Sequence, residues 1–147
     1  MIEIENFLHE NICKYLIDFF HENEAQSHFF NKRKYMPLME IDTKDPVIKN
    51  IINLYKKIKP TKILNNIELV YWPPGESHDW HDDTVYYDFT TITYLNDNYT
   101  GGETTVEKYK VISKTGKILI FSSDKLHKVD LLEKGKRYVI VAWYKNG

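Results

Sequence analysis

Residues 117–144 read KILIFSSDKLHKVDLLEKGKRYVIVAWY, and this stretch decides the fold class. Lys117–Phe121 and Tyr138–Tyr144 are short runs of branched and aromatic residues, the composition that suits a pleated, half-buried strand. Upstream, Phe89–Leu95 and Ile67–Trp72 have the same character. Pro73-Pro74-Gly75, Asn96-Asp97-Asn98, Gly101-Gly102 and Lys114-Thr115-Gly116 punctuate the runs with turn residues. Short strands at such intervals predict antiparallel sheets closed as a jelly roll or barrel.

The pattern changes ahead of Lys62. Ile12, Leu16, Phe19 and Phe20 recur at helical spacing, which predicts an amphipathic helix over about 9–23. Asp45-Pro46 is a helix start, with Asp as N-cap and Pro in the first turn. Val47, Ile48, Ile51, Ile52, Tyr55 and Ile58 give that second helix one apolar face, and Pro60 ends it. The polar stretch 26–44, with Asn31-Lys32-Arg33-Lys34, reads as a solvated loop rather than a substrate-facing lid. The expectation is one domain over 1–147, mainly β, with a helical front at 1–62 and a β-barrel core at 63–147.

Composition narrows the function. Hydrophobic residues make up 42 % and charged residues 28 %, as in ordinary globular proteins. Twenty basic against 21 acidic residues leave a formal charge of −1, which argues against a nucleic-acid partner held by bulk electrostatics. The lone Cys13 cannot form an internal disulfide. Neither a secretory leader nor a membrane span is visible, so a cytoplasmic protein without a membrane partner is expected.

Three features point to a metal site. His81 and Asp83 stand at i and i+2, and in an extended chain alternate side chains share a face. The pattern alone also fits a polar strand end. His127 follows a buried-type strand, and strand pairing can return it to the first pair. Two imidazoles and one carboxylate leave three positions open on octahedral iron, the facial arrangement of non-haem Fe(II) oxygenases. Arg137 opens the last strand, and a guanidinium inside a barrel needs a carboxylate partner. A rival pair, His78 and His81, has helical spacing, which Pro73-Pro74-Gly75 opposes.

Several blocks together resemble the prolyl 4-hydroxylase type of Fe(II)/2-oxoglutarate-dependent oxygenases, whose core is a double-stranded β-helix of the cupin-like, jelly-roll kind. Tyr71-Trp72-Pro73-Pro74-Gly75 before His81-Asp82-Asp83 is similar to the family's Tyr-x-x-Gly…His-x-Asp. Thr93-Tyr94-Leu95-Asn96 with Gly101-Gly102-Glu103-Thr104 resembles its Tyr-Leu-Asn…Gly-Gly-Glu-Thr. Lys117–Phe121, His127, Arg137-Tyr138 and Trp143 resemble its closing strands. The likeness covers about 67–144 and, more loosely, the first helix.

The resemblance implies Fe(II) on His81, Asp83 and His127, with 2-oxoglutarate and O₂ as co-substrates and ascorbate as an optional reductant. It implies that Arg137 and Tyr94 bind the distal carboxylate of 2-oxoglutarate and that Tyr71 lies near its inner end. Trp143 and His78 fall on the substrate side, His78 replacing an aromatic or hydrophobic residue. The implied reaction hydroxylates a substrate C–H and releases succinate and CO₂. Asp83 favours hydroxylation over halogenation, because related halogenases leave that position open for chloride. The leading substrate is a peptidyl prolyl residue. The alternatives are a free amino acid or small metabolite, or a non-catalytic or zinc-binding cupin-like module.

Overall fold

The computed structural model describes residues 1–84 and 86–147. The chain opens with β1 (Ile2–Ile4), α1 (Glu10–Glu22), β2 (His28–Phe30), β3 (Arg33–Pro37), α2 (Pro46–Ile58) and β4 (Ile63–Trp72). It continues through β5 (His78–His81), β6 (Phe89–Tyr94), β7 (Thr100–Gly101), β8 (Thr104–Val106) and β9 (Tyr109–Lys110). The closing strands are β10 (Ile118–Ser122), β11 (His127–Val129), β12 (Leu132–Lys134) and β13 (Arg137–Lys145). A major sheet runs β1-β10-β6-β13-β4-β3-β2, a minor one runs β5-β11-β8-β9, and β12 pairs with β7. Every pairing is antiparallel. This is the mainly β, jelly-roll architecture expected from the strand runs, with the helices in front.

The period-two alternation of β13 separates the two faces of the major sheet. Tyr138, Ile140, Ala142 and Tyr144 pack into a cluster with Cys13, Leu16 and Phe20 of α1 and Ile48, Ile51 and Tyr55 of α2. Arg137, Val139, Val141 and Trp143 face the opposite way and line a cavity. β4 divides likewise, with Ile67 and Leu69 toward the helices and Glu68, Val70 and Trp72 toward the cavity. Val106 and Val129 of the minor sheet share a second cluster with Val70, Ile92, Phe121 and Val139 of the major sheet. The cavity therefore opens between the sheets.

The helix signals hold in detail. The Asp45 carboxylate accepts the Val47 N–H at 2.8 Å, as an N-cap should. Among the described residues no helix is long and apolar enough to cross a membrane.

The expectation for 26–44 is wrong. Residues 28–37 form the hairpin β2–β3, which extends the major sheet through Lys34↔Tyr71 and Met36↔Leu69. Asn31 turns the hairpin at φ 58°, a left-handed conformation that Asn tolerates. The polar run Lys32-Arg33-Lys34 hid the strand, because Arg33 points inward where a hydrophobic residue is the usual signal.

Gly116 locks the front to the sheet. It sits at φ +86°, and an added Cβ would lie 2.2 Å from the Leu8 carbonyl oxygen. Its own carbonyl accepts the Leu8 N–H at 3.1 Å. Gly116→Ala is expected to cost roughly 1–3 kcal/mol and to lower Tm by several degrees in a thermal melt. An unchanged Tm would show that this contact is loose.

Candidate metal centre

β5 and β11 pair antiparallel, and His81 stands directly across from His127. That register brings the two imidazole centroids to 4.1 Å at 57°. Extended pairing ends at His81, and Asp83 is positioned separately. Its N–H donates to the Ser123 carbonyl at 2.9 Å, and its Oδ2 lies 3.6 Å from His127 Nε2. One donor atom from each of His81, Asp83 and His127 falls within 4.8 Å of the others.

The surrounding groups orient these donors. His81 Nδ1 bonds the Asp79 carbonyl at 2.7 Å, and His127 Nδ1 bonds the Lys125 carbonyl at 3.0 Å. A carbonyl only accepts, so both Nδ1 atoms carry the proton and both Nε2 lone pairs are free for a metal. Thr90 Oγ1 donates to Asp83 Oδ2 at 2.9 Å, and Trp143 Nε1 lies 3.4 Å from the same oxygen. Burial holds the His127 imidazole below its ordinary pKa, with the neighbouring His81 adding to the effect against the pull of Asp83. The neutral, metal-ready form is favoured. This donor set suits a divalent cation that keeps open positions.

The cavity behind the triad has a volume of about 330 Å³. Val70, Ile92, Val139 and Val141 make its apolar middle. Arg137, 1 % exposed, lies beyond them. Its Nη2 donates to Thr104 Oγ1 at 3.0 Å, and its Nε finds no partner among the described residues. Its guanidinium lies 4.9 Å from the Trp72 ring. A buried cation with unfilled donors in an apolar pocket fits a carboxylate ligand.

The other expected site residues divide. Trp143 and His78 line the cavity, and Trp143 stacks on Tyr87 at 5.4 Å. Tyr94 is fully buried beside Arg137, with its ring 5.6 Å from the guanidinium. Its hydroxyl donates to Thr104 Oγ1 at 2.7 Å, so it supports the Arg137 partner from behind the cavity wall. Tyr71 is not brought to the site. It lies on the helix side of β4, stacked on Phe20 at 5.8 Å and next to Tyr138 at 5.5 Å. Strand alternation is the reason: Trp72, three residues before Gly75 as in Tyr-x-x-Gly, takes the inward position.

Asp79 and Asp82, the carboxylates a zinc hydrolase would need as bases, are exposed and occupied locally. Asp79 accepts the Trp80 N–H, and Asp82 accepts both the N–H and hydroxyl of Thr84. The turn after Asp83 includes Val85, which lies outside the described residues. Sequence reading missed Arg33, Glu68 and Thr90 as cavity-lining groups. Alternation along β4 from an inward Trp72 marks Glu68, and the pairing of Thr90 with the cavity-lining Trp143 marks Thr90.

His78 makes the site acid-sensitive. Its ring stacks on His81 at 3.6 Å, and burial, with the charges of His81 and Arg33, pushes its pKa from 6.5 down to about 3. The unfolded chain therefore binds the extra proton, and stability present above pH 6.5 drains away as pH falls toward 3. A His78→Asn variant is expected to lose less Tm than the parent between pH 7 and pH 4.5. Parallel losses in the two proteins would exclude His78 as the cause.

Similarity to known proteins agrees with this geometry. The sequence profile of the 2OG-Fe(II) oxygenase superfamily matches residues 67–145. A PKHD-type hydroxylase of Prochlorococcus marinus (strain NATL1A) is 26 % identical over 118 residues, 71 % of this chain and 53 % of that protein. The chain thus spans about half the length of this curated relative. The viral collagen prolyl hydroxylase of Paramecium bursaria Chlorella virus-1 superposes with a TM-score of 0.75 at 17 % identity, covering 99 % of this chain and 95 % of its own. A Pseudomonas putida prolyl-4-hydroxylase does so at 0.76 and 16 %, over 99 % and 92 %. The alpha-ketoglutarate-dependent epimerase SnoN of nogalamycin biosynthesis reaches 0.77 at 12 %, over 99 % and 77 %. With more than half of its length matched by that profile, the chain belongs to the 2OG-Fe(II) oxygenase superfamily.

Proposed function

We propose that the protein is an Fe(II)- and 2-oxoglutarate-dependent dioxygenase that hydroxylates a C–H bond of its substrate and releases succinate and CO₂. The observation that carries the reading is the convergence of His81, Asp83 and His127 on one cavity that also exposes Arg137. A prolyl residue is the preferred substrate, because two of the structural neighbours are prolyl hydroxylases. SnoN, an epimerase of the same fold, means that the product has to be measured.

His81, Asp83 and His127 would hold Fe(II), which with 2-oxoglutarate and O₂ supplies the oxidising power. The protein's part is orientation and exclusion of water. The two Nδ1–H bonds to backbone carbonyls fix each imidazole with Nε2 toward the metal. Thr90 and Trp143 fix the Asp83 carboxylate through Oδ2, the oxygen 3.6 Å from His127 Nε2. Arg137 offers its donors to the distal carboxylate of 2-oxoglutarate, and Thr104, itself held by Tyr94, steadies the guanidinium. Val70, Ile92 and Val139 keep the space between them dry. Trp143, stacked on Tyr87, forms a wall beside Asp83 where a substrate ring would lie.

Incubation with Fe(II), 2-oxoglutarate and ascorbate is expected to release succinate, and a substrate screen should yield a product heavier by one oxygen. Absence of both succinate release and 2-oxoglutarate binding would refute the reading. Equal activity with Zn(II) would favour a hydrolase instead. Asp83→Ala should lose Mn(II) binding by calorimetry and all turnover. Arg137→Gln should keep the metal and raise the half-saturating 2-oxoglutarate concentration about 10- to 100-fold, the worth of a charge-assisted hydrogen-bonded pair. An unchanged requirement would remove Arg137 from that role.

A further inference from the structure

Arg33 has no part in the chemistry above, yet it lines the same cavity as the triad and Arg137. It is 8 % exposed. Its guanidinium lies 4.5 Å from the Trp72 ring and 4.8 Å from the Phe30 ring, an aromatic frame open at one side because Phe30 is exposed. Nη1 bonds His78 Nδ1 at 3.2 Å. Nε is buried and finds no hydrogen-bond partner among the described residues.

The nearby carboxylate does not fill this gap. Glu76 Oε2 stands 3.7 Å from Arg33 Nε, beyond hydrogen-bond distance. Its oxygens accept the Lys32 N–H at 2.9 Å and the Ser77 N–H at 3.1 Å. A guanidinium has five donors in a planar fork, and leaving them dry in an apolar site is costly. Burial lowers the Arg33 pKa, Glu76 opposes that, and Arg137 across the cavity adds to the lowering. Glu76 offsets the charge of Arg33 without hydrogen-bonding to it, so each of the two cations that flank Trp72 keeps an unfilled Nε donor. One 2-oxoglutarate has its distal carboxylate for Arg137 and its inner one for the metal. Because Nδ1 of His78 accepts from Arg33, Nε2 carries the ring proton and is a further donor at the same spot.

We infer that Arg33, assisted by His78, forms a second carboxylate site in the cavity, and that it takes the acid group of the substrate. This rests on the reading that Arg137 receives 2-oxoglutarate. The substrate class it selects is a carboxylate-bearing molecule small enough to enter the cavity. For a prolyl substrate this means a free or C-terminal prolyl unit with its carboxylate on Arg33, rather than one within a chain.

The site is tested on the metal-free chain of residues 1–147 with propionate as probe, read by saturation-transfer NMR. The parent protein should bind two equivalents, Arg137→Gln one, and Arg137→Gln combined with Arg33→Gln none. Saturating 2-oxoglutarate should displace one equivalent only. Propionamide should bind at neither position. Arg33→Lys keeps the charge without the fork, guards against misfolding of the Gln variant, and should weaken its equivalent at least about 10-fold. The proposal fails if Arg137→Gln alone abolishes propionate binding, because Arg33 is then packing. It also fails if 2-oxoglutarate displaces both equivalents, because the second carboxylate is then the co-substrate's own. If 2-oxoglutarate displaces neither while the Arg33 variants still lose one, the co-substrate reading falls and the Arg33 site stands.

Discussion

The site depends on one register, the pairing of His81 on β5 with His127 on β11. Side chains alternate faces along a strand, so a slip of one residue would turn either imidazole out of the cavity. The register is held from both sides. β11 also pairs with β8 through Val129↔Thr104 and His127↔Val106, and Val106 and Val129 are buried in the inner cluster. The apolar packing of the minor sheet therefore sets the position of the imidazoles. Thr104 lies on the same strand as Val106 and touches both Arg137 and Tyr94. One short strand thus ties the histidine end of the cavity to its arginine end.

Charge follows from this arrangement. Arg33, Arg137, Asp83 and Glu68 all border a space walled by valine, isoleucine and tryptophan. Isolated charges in such a space are costly, and the structure answers each one differently. Asp83 receives a hydroxyl and faces an indole N–H. Glu68, pushed up to about 7 by burial, sheds much of its charge near neutrality. The two arginines cannot shed theirs, and each retains an unfilled Nε. A guanidinium with an unfilled donor that also lines a cavity is a place where a ligand carboxylate can bind.

Four strands of the major sheet (β4, β6, β10 and β13), the two helices and the triad were legible because each carries a local signal. β13 is apolar on both faces, since one face meets the helices and the other the cavity. α2 announces itself by Asp45-Pro46 and its apolar stripe. The ligands show as His-x-Asp followed by a distant His in a fixed order of blocks. The β2–β3 hairpin was illegible because its inward residues, Arg33 and Tyr35, serve the cavity, and a polar inward residue erases the alternation that marks a strand. Tyr71 was misplaced for a related reason. Tyr71 and Trp72 are adjacent aromatics, both at home in a strand, and composition cannot say which one faces in. The register with Arg137 decides it, since Trp72 pairs with Arg137 and both line the cavity.

The helices, which hold no ligand, make the hollow affordable. Among the described residues, twenty buried ones form the cluster between the helices and the outer face of the major sheet, against eleven in the inner cluster between the sheets. At roughly 1.5–3 kcal/mol for each large side chain buried, the outer layer contributes most of the hydrophobic stabilisation. Within it Tyr55 bonds Thr93, and the Tyr144 hydroxyl donates to the Tyr55 carbonyl at 2.7 Å. The inner face is then free to carry a cavity, two under-satisfied guanidiniums and a triad with open Nε2 atoms. Filling that cavity with hydrophobic side chains would raise stability and remove the site, the usual opposition between a packed core and a functional one.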